Sequence, residues 1–279
     1  MSNIDYEYHA DECDCGKDCT FTKEGVATIR ADGRDTGKGP LHYKTLNCAI
    51  RKAIASDIRT IIIEEVMGQR YIGATASGTD LRIVVHGTPG NSLGAFLNGP
   101  TIEVLGNAQD MTGNTMNSGK IIIHGNAWDV TGLSARGGTI MIKGSSGYRV
   151  GIHMKEFGKT RPSLVIGGTV KDYLGEYMAG GTILVLGLRS HVDSPVGHNI
   201  GAGMHGGRIY VRGKVTSRQL GPGAIISPVT EEDSAELTSL IEEFEGYFGE
   251  PVGRDYSNFV KIHPSSSRPF SGYYDKTNI

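Results

Sequence analysis

The sequence predicts an all-β fold: a right-handed parallel β-helix of about seven coils on a 19-residue repeat, with a capping helix at each end. Three observations lead there. Glycine is over-represented, with 41 among 279 residues, about twice its ordinary share of roughly 7%. Short β-branched bursts recur, each closed by a glycine. The octet Gly-Asn-Ala-x-Asp-x-Thr-Gly stands at Gly106 and again at Gly125, 19 residues on.

The bursts are LRIVVHG ending at Gly87, TIEVLG at Gly106, KIIIHG at Gly125, TIMIKG at Gly144, LVIGG at Gly168, TILVLG at Gly187 and RIYVRG at Gly213. Their composition and glycine boundaries read as strands. A second glycine series, Gly94, Gly113, Gly132, Gly151, Gly175 and Gly201, falls between them. The step from strand end to mid-turn is 7 residues five times, and the step back to the next strand end is 12 five times. The exceptions are insertions within KEFGKTRPS and LRSHVDSPVGHN. Three residues after each mid-turn glycine comes a filler, Leu97, Met116, Ala135, Met154, Met178 or Met204, expected to point inward. One such unit cannot bury its apolar face, but stacked units can. Parallel crossovers favour the right hand.

Residues before Gly87 read as a poorer opening coil. Ahead of it, HYKTLNCAIRKAIASD puts Leu46, Ile50, Ala53 and Ile54 on one helical face, expected to cap an end of the stack. At the other end Thr230 is a helix N-cap with acids in the first turn, and the helix should stop before Pro251. The tail VKIHPSSSRPFSGYY shows no core pattern and reads as disordered or as an arm for a partner. Three parts follow: a Cys-containing extension over 1–40, a capping helix plus β-helix over 41–213, and a helix with a partner-binding tail over 214–279.

A net charge of −2 gives no reason to expect nucleic acid or an acidic membrane as partner. No apolar run reaches the ~20 residues a membrane span needs and the polar start is no signal peptide, so the cytoplasm is expected. The run GAGMHG at Gly201 has dinucleotide-fingerprint spacing, but its strand follows instead of preceding it. Asp110, Asp129 and Asp172 share one phase of the repeat, and Asn107 and Asn126 another. Stacked carboxylates could bind cations, but the plainer reading is that these side chains satisfy turn amides. His191, His198 and His205 match no zinc spacing and read as a structural or interface cluster. Cys13, Cys15 and Cys19 are candidate metal ligands for zinc or an iron–sulfur contribution, though their spacing is not a standard run. No activated nucleophile or acid–base pair stands out, so no catalytic and no cofactor-binding residue is assigned.

The phased repeat, the VGIHMKEF turn, YLGEYMAGGTILVLG and the HYKTLN…IRKAI…GQRYIG lead-in resemble the GXGXG β-helix domain of glutamate synthase, in the form where the C-terminal domain of the large (alpha) subunit is a separate polypeptide. The likeness runs from about His42 to the tail. It implies a non-catalytic scaffold in an oxidoreductase complex of glutamate biosynthesis and nitrogen assimilation, with no cofactor on the repeats. The implied partners are a class II glutamine amidotransferase, an FMN/iron–sulfur synthase subunit and an NAD(P)H- or ferredoxin-linked electron donor. Ser2 follows Met1, so the amidotransferase's nucleophilic cysteine is expected on a partner. The repeat also resembles the C-type scaffold subunit of formylmethanofuran dehydrogenase and its formyltransferase/hydrolase relatives. A different expectation is a metal-binding redox adaptor acting through the N-terminal cysteines. The inserted loops at 156–162 and 189–199 and the arm at 260–274 are the candidate contact surfaces.

Overall fold

The computed structural model describes residues 19–21, 25–33, 39–191 and 193–267. Over these residues the chain is a parallel β-solenoid of about six turns, one fewer than the repeat count suggested. One sheet runs its length. Strands β1 (Cys19–Phe21) and β2 (Val26–Arg30) open it, followed by helix α1 (Tyr43–Ala55) and β3 (Thr60–Met67). The regular coils supply β4 (Arg82–Thr88), β5 (Asn98–Val104), β6 (Ser118–Ile123), β7 (Thr139–Ile142), β8 (Ser163–Ile166), β9 (Ala179–Val185) and β10 (Gly206–Arg212). After them come β11 (Ala224–Pro228), helix α2 (Glu231–Phe248) and β12 (Phe259–Pro264). Strands β2 to β10 pair in parallel and in sequence order. An antiparallel strand closes the sheet at one end, β1 on β2, and two do so at the other, β12 on β10 and β11 on β12.

The register stacks like on like. Ile61, Ile83, Ile102, Ile121, Ile140, Leu164, Ile183 and Ile209 are Cα partners in succession, and all are buried. Two residues along each strand, Ile63, Val85, Val104, Ile123, Ile142, Ile166, Val185 and Val211 form a second buried ladder. Positions two apart share a face, so both ladders point into the solenoid. The fillers Leu97, Met116, Ala135, Met154, Met178 and Met204 are buried against them, as expected.

Helix α1 sits at the β2 end and turns Leu46, Ala49, Ile50 and Ala53 into the same core. Buried Asn47 fastens it, donating from Nδ2 to the carbonyls of Tyr43 and Arg70 at 2.8 Å each. Helix α2 begins at Thr230 and ends at Gly249 in the left-handed conformation (φ 63°), as the sequence indicated. Its position is new. It covers the outer face of the sheet, where Leu237, Leu240, Ile241, Phe244 and Phe248 pack on Ile122, Met141, Val165, Leu184 and Tyr210. The C-terminal end is closed instead by the segment after β10, whose Gln219 and Pro222 carbonyls accept from the Ile200 and Gly203 amides of the last coil turn.

Two further expectations change. Residues 260–264 are no free arm: β12 lies between β10 and β11, with Ile262 fully buried. The part of the arm from 268 onward lies outside the described residues. At the other terminus, β2 pairs along its length with β3, so the sheet begins inside the stretch read as an extension.

Candidate functional site

Opposite the sheet, each coil makes its turn through alternating left-handed residues. In one coil these are Met111 (φ 57°), Gly113 (φ 71°) and Thr115 (φ 53°). The flanking amides donate forward, Met111 N–H to Asp129 O at 2.9 Å and Thr115 N–H to Leu133 O at 2.7 Å, whereas Gly113 N–H donates back to Leu93 O at 2.8 Å. The turn face is therefore stitched to both neighbours, although only isolated bridges and no named strand lie on it among the described residues. The alternation recurs at Tyr71, Gly73 and Thr75, so a mid-turn glycine precedes the six read from the sequence.

The left-handed flanks accept varied residues because their side chains splay outward. Tyr71, Phe96 and Tyr177 are all exposed. His153 stacks on Tyr177 with centroids 5.3 Å apart, and the Arg149 guanidinium lies 4.6 Å over Tyr173. At Gly201 and Gly203 the same turn leads directly into β10, so GAGMHG is a coil turn without the following helix a pyrophosphate site requires.

The Asp and Asn ladders are turn devices. Asp110 Oδ1 accepts from Asp129 N–H at 3.1 Å, Asp129 Oδ1 from Tyr148 N–H at 2.9 Å, and Asp172 Oδ1 from His198 N–H at 2.9 Å. Asn107 and Asn126 each accept from an amide one coil on, at 2.8 Å. Among the described residues no group of three or more His, Cys, Asp or Glu side chains is placed to hold a metal. The structure does not gather His191, His198 and His205 into such a group. Cys13 and Cys15 lie outside the described residues, and the Cys19 backbone pairs with Ile29 in the β1–β2 ladder.

One buried polar network stands out. The Tyr210 hydroxyl donates to Asp233 Oδ1 at 2.6 Å, Lys261 Nζ donates to the same oxygen at 2.7 Å, and Asp233 Oδ2 accepts from Thr230 N–H at 2.9 Å. Burial pushes the Asp233 carboxyl up, but the bonds from Lys261, Tyr210 and Thr230 outweigh it and hold the group well below the usual carboxylate range. Burial, then the bond to Asp233, pushes the Tyr210 hydroxyl above its ordinary value. The network ties the start of α2 to β10 and β12. Ion pairs continue the attachment along the helix, Glu236 to Arg208 at 3.2 Å and Glu243 to Lys120 at 2.6 Å.

Of the expected contact surfaces, the loop at 156–162 is a small closed hairpin. Phe157 and Thr160 exchange backbone hydrogen bonds, at 3.1 and 3.0 Å. Glu156 bonds Arg161 Nε and the Gly181 amide, each at 3.0 Å. At its tip Phe157 is 90% exposed. Trp128, the single tryptophan, is also exposed, at 54%. Bulky aromatics held out on an ordered frame are what recognition surfaces use.

The model of the GXGXG motif family matches residues 44–265, from α1 through β12. The chain belongs to the GXGXG motif family, the domain family of the glutamate synthase alpha C-terminus. It is also similar to the uncharacterized protein MJ1350 of Methanocaldococcus jannaschii, 48% identical over 262 residues, covering 90% of this chain and 98% of that protein. In most coils only the central of the three left-handed turn positions is glycine. No helix among the described residues is long and apolar enough to cross a membrane.

Proposed function

We propose that this chain is the non-catalytic scaffold subunit of a multi-subunit glutamate synthase, the enzyme that makes glutamate from glutamine and 2-oxoglutarate. It holds a class II amidotransferase subunit and an FMN/iron–sulfur synthase subunit in register, so that ammonia released at one reaches the other without escaping to solvent. An NAD(P)H- or ferredoxin-linked subunit supplies electrons. The chemistry belongs to the partners; the contribution of this chain is position, and fixing the separation of two reacting centres is itself a rate effect.

The observation that carries the reading is the family match along the solenoid, together with a relative of nearly the same extent. The stitched coils support it, because a stack hydrogen-bonded on the sheet side and on the turn side resists bending. The Phe157 hairpin and Trp128 supply outward anchors for partners. The test is an anaerobic native pull-down from the source cells, with mass spectrometry and an assay for glutamine- and 2-oxoglutarate-dependent glutamate formation. Recovery of an amidotransferase and a flavin/iron–sulfur chain with that activity is expected. Recovery of molybdenum- or tungsten-type dehydrogenase or formyl-transfer subunits would keep the fold and overturn the function.

A further inference from the structure

The outer surface near the C-terminus of α2 holds a groove of about 530 Å³ where three successive coils leave the sheet. Its floor is kept bare by necessity. A Cβ on Gly144 would lie 2.3 Å from Asn126 Oδ1, and one on Gly168 would lie 2.3 Å from Ser145 Oγ. That leaves backbone and small polar groups facing the opening, including the hydroxyls of Ser145 and Thr169, 3.2 Å apart. One wall carries His124 and Lys143. The other is the inserted loop after β9, which folds back so that the Leu188 amide donates to Gly167 O at 2.7 Å and presents Arg189 beside Lys143.

The charges do not cancel. Lys143 Nζ and Arg189 Nη2 share one carboxylate, Glu250, at 3.4 and 2.9 Å. Two cations on one anion leave a unit of positive charge at the groove. Arg189 is also held at φ 60°, a conformation that disfavours non-glycine residues, and its side chain is still 61% exposed. His124 joins the wall through its own bond to Glu103, 2.9 Å from Nε2 to Oε1. The volume falls within the range of roughly 300–1,000 Å³ typical of small-molecule sites.

We propose that this groove is a binding site for a small molecule with a dianionic oxyanion head, a phosphate or a dicarboxylate. Lys143 and Arg189 take the charge, and the Ser145 and Thr169 hydroxyls donate to its oxygens. The site lies wholly on this chain and does not depend on the partners named above.

The test titrates the purified full chain with inorganic phosphate and, separately, with succinate, by calorimetry and by amide chemical shifts. Saturable binding in the millimolar range or tighter is expected, with shifts centred on residues 143–145, 168–169 and 188–190. Saturation by phosphate alone assigns a phosphate head, and saturation by succinate alone assigns a dicarboxylate. The double variant Lys143→Gln/Arg189→Gln should bind at least about tenfold more weakly, the loss expected for removing charge-assisted hydrogen bonds. Glu250→Gln should bind more tightly, because it removes the competing carboxylate and frees both cations. No saturable binding by either probe, as for a groove that accepts only an acidic segment of a partner chain, would overturn the proposal. So would binding that neither variant changes while both melt like the parent.

Discussion

Substituting alanine at three glycines separates two reasons for glycine that the repeat confounds. Gly113 has φ 71°, and a Cβ there would lie 2.3 Å from the Cδ1 of Ile140. Gly158 has a similar φ of 60° but open space, with nothing within 4 Å of the added carbon. Gly246 lies within α2 and also meets nothing within 4 Å. The left-handed conformation costs an alanine about 1–2 kcal/mol. Overpacking a core costs about 1–3 kcal/mol more. Gly113→Ala should therefore destabilise by about 2–5 kcal/mol, Gly158→Ala by about 1–2 kcal/mol, and Gly246→Ala should stabilise by about 0.5–1 kcal/mol through helix propensity. Denaturant midpoints followed by circular dichroism, with m-values checked for unchanged cooperativity, give the order directly.

The steric part of that prediction rests on a comparison inside each coil. Met111 and Thr115 flank Gly113 at nearly its own φ and are not glycine. Backbone conformation alone thus cannot be what demands glycine at the centre. The difference is direction: the central Cβ would enter the interior, where the isoleucine ladder stands, whereas the flanking side chains leave it. The same contact recurs at Gly94 with Ile121, Gly132 with Leu164, Gly151 with Ile183 and Gly175 with Ile209, each at 2.6 Å or less. If Gly113→Ala costs no more than Gly158→Ala, the inward contact is not what selects glycine and this account of the mid-turn position fails.

Four other outcomes are expected. Tyr210→Phe should cost about 1–2 kcal/mol by removing one bond to a buried carboxylate, and thermal or denaturant unfolding measures it. Because Asp233 is held below its ordinary value, its contribution is present above the unfolded-state pKa of about 3.9 and is lost as pH falls below it. Asp233→Asn should accordingly be less stable at neutral pH yet lose less stability between about pH 5 and pH 2; parallel acid limbs in a midpoint-versus-pH series would remove Asp233 from the explanation. Phe157→Asp should leave stability within about 0.5 kcal/mol, since the ring makes little of the fold, while weakening partner capture by about thirtyfold or more if it is an interface anchor. A chelator should leave the melting of the solenoid unchanged, because the Asp110, Asp129 and Asp172 carboxylates already accept turn amides; elemental analysis of Cys13→Ser/Cys15→Ser/Cys19→Ser against the parent tests the N-terminal thiols separately.

Much of the architecture could be read because a solenoid writes each contact into the sequence at a fixed interval. Strand bounds and fillers emerged that way, and the Thr230 start of α2 emerged from its capping residues. The coil around Gly73 was read only as a poorer opening coil, its mid-turn glycine unassigned, because 21 residues, not 19, separate that glycine from Gly94. Strand β12 escaped for another reason. Its buried residues Phe259 and Ile262 are three apart and so face opposite sides, Phe259 toward α2 and Ile262 toward the solenoid core. Neither alternation nor a continuous apolar run marks such a strand. The groove at Lys143 could not be read either, since its two cations are 46 residues apart and meet only because an insertion folds back over the strand ends.

The place of α2 was legible, though in the strands and not in the helix. In β4 and β5 the outward positions are Val84 and Glu103, both partly exposed. From β6 onward the corresponding Cα partners are Ile122, Met141, Val165, Leu184 and Tyr210. Triplets such as Ile121-Ile122-Ile123 and Ile183-Leu184-Val185 are apolar on both faces, the pattern of a strand covered on each side. The change at Glu103 marks where the cover begins, and five consecutive outward apolar residues give its span. Strands in a parallel sheet lie about 4.8 Å apart, so that span is about 19 Å from first to fifth. A helix rises 1.5 Å per residue, and the 18 residues of α2 reach about 27 Å. A helix of that length with Leu237, Ile241, Phe244 and Phe248 on one face satisfies that surface, which an end cap would have left bare to solvent.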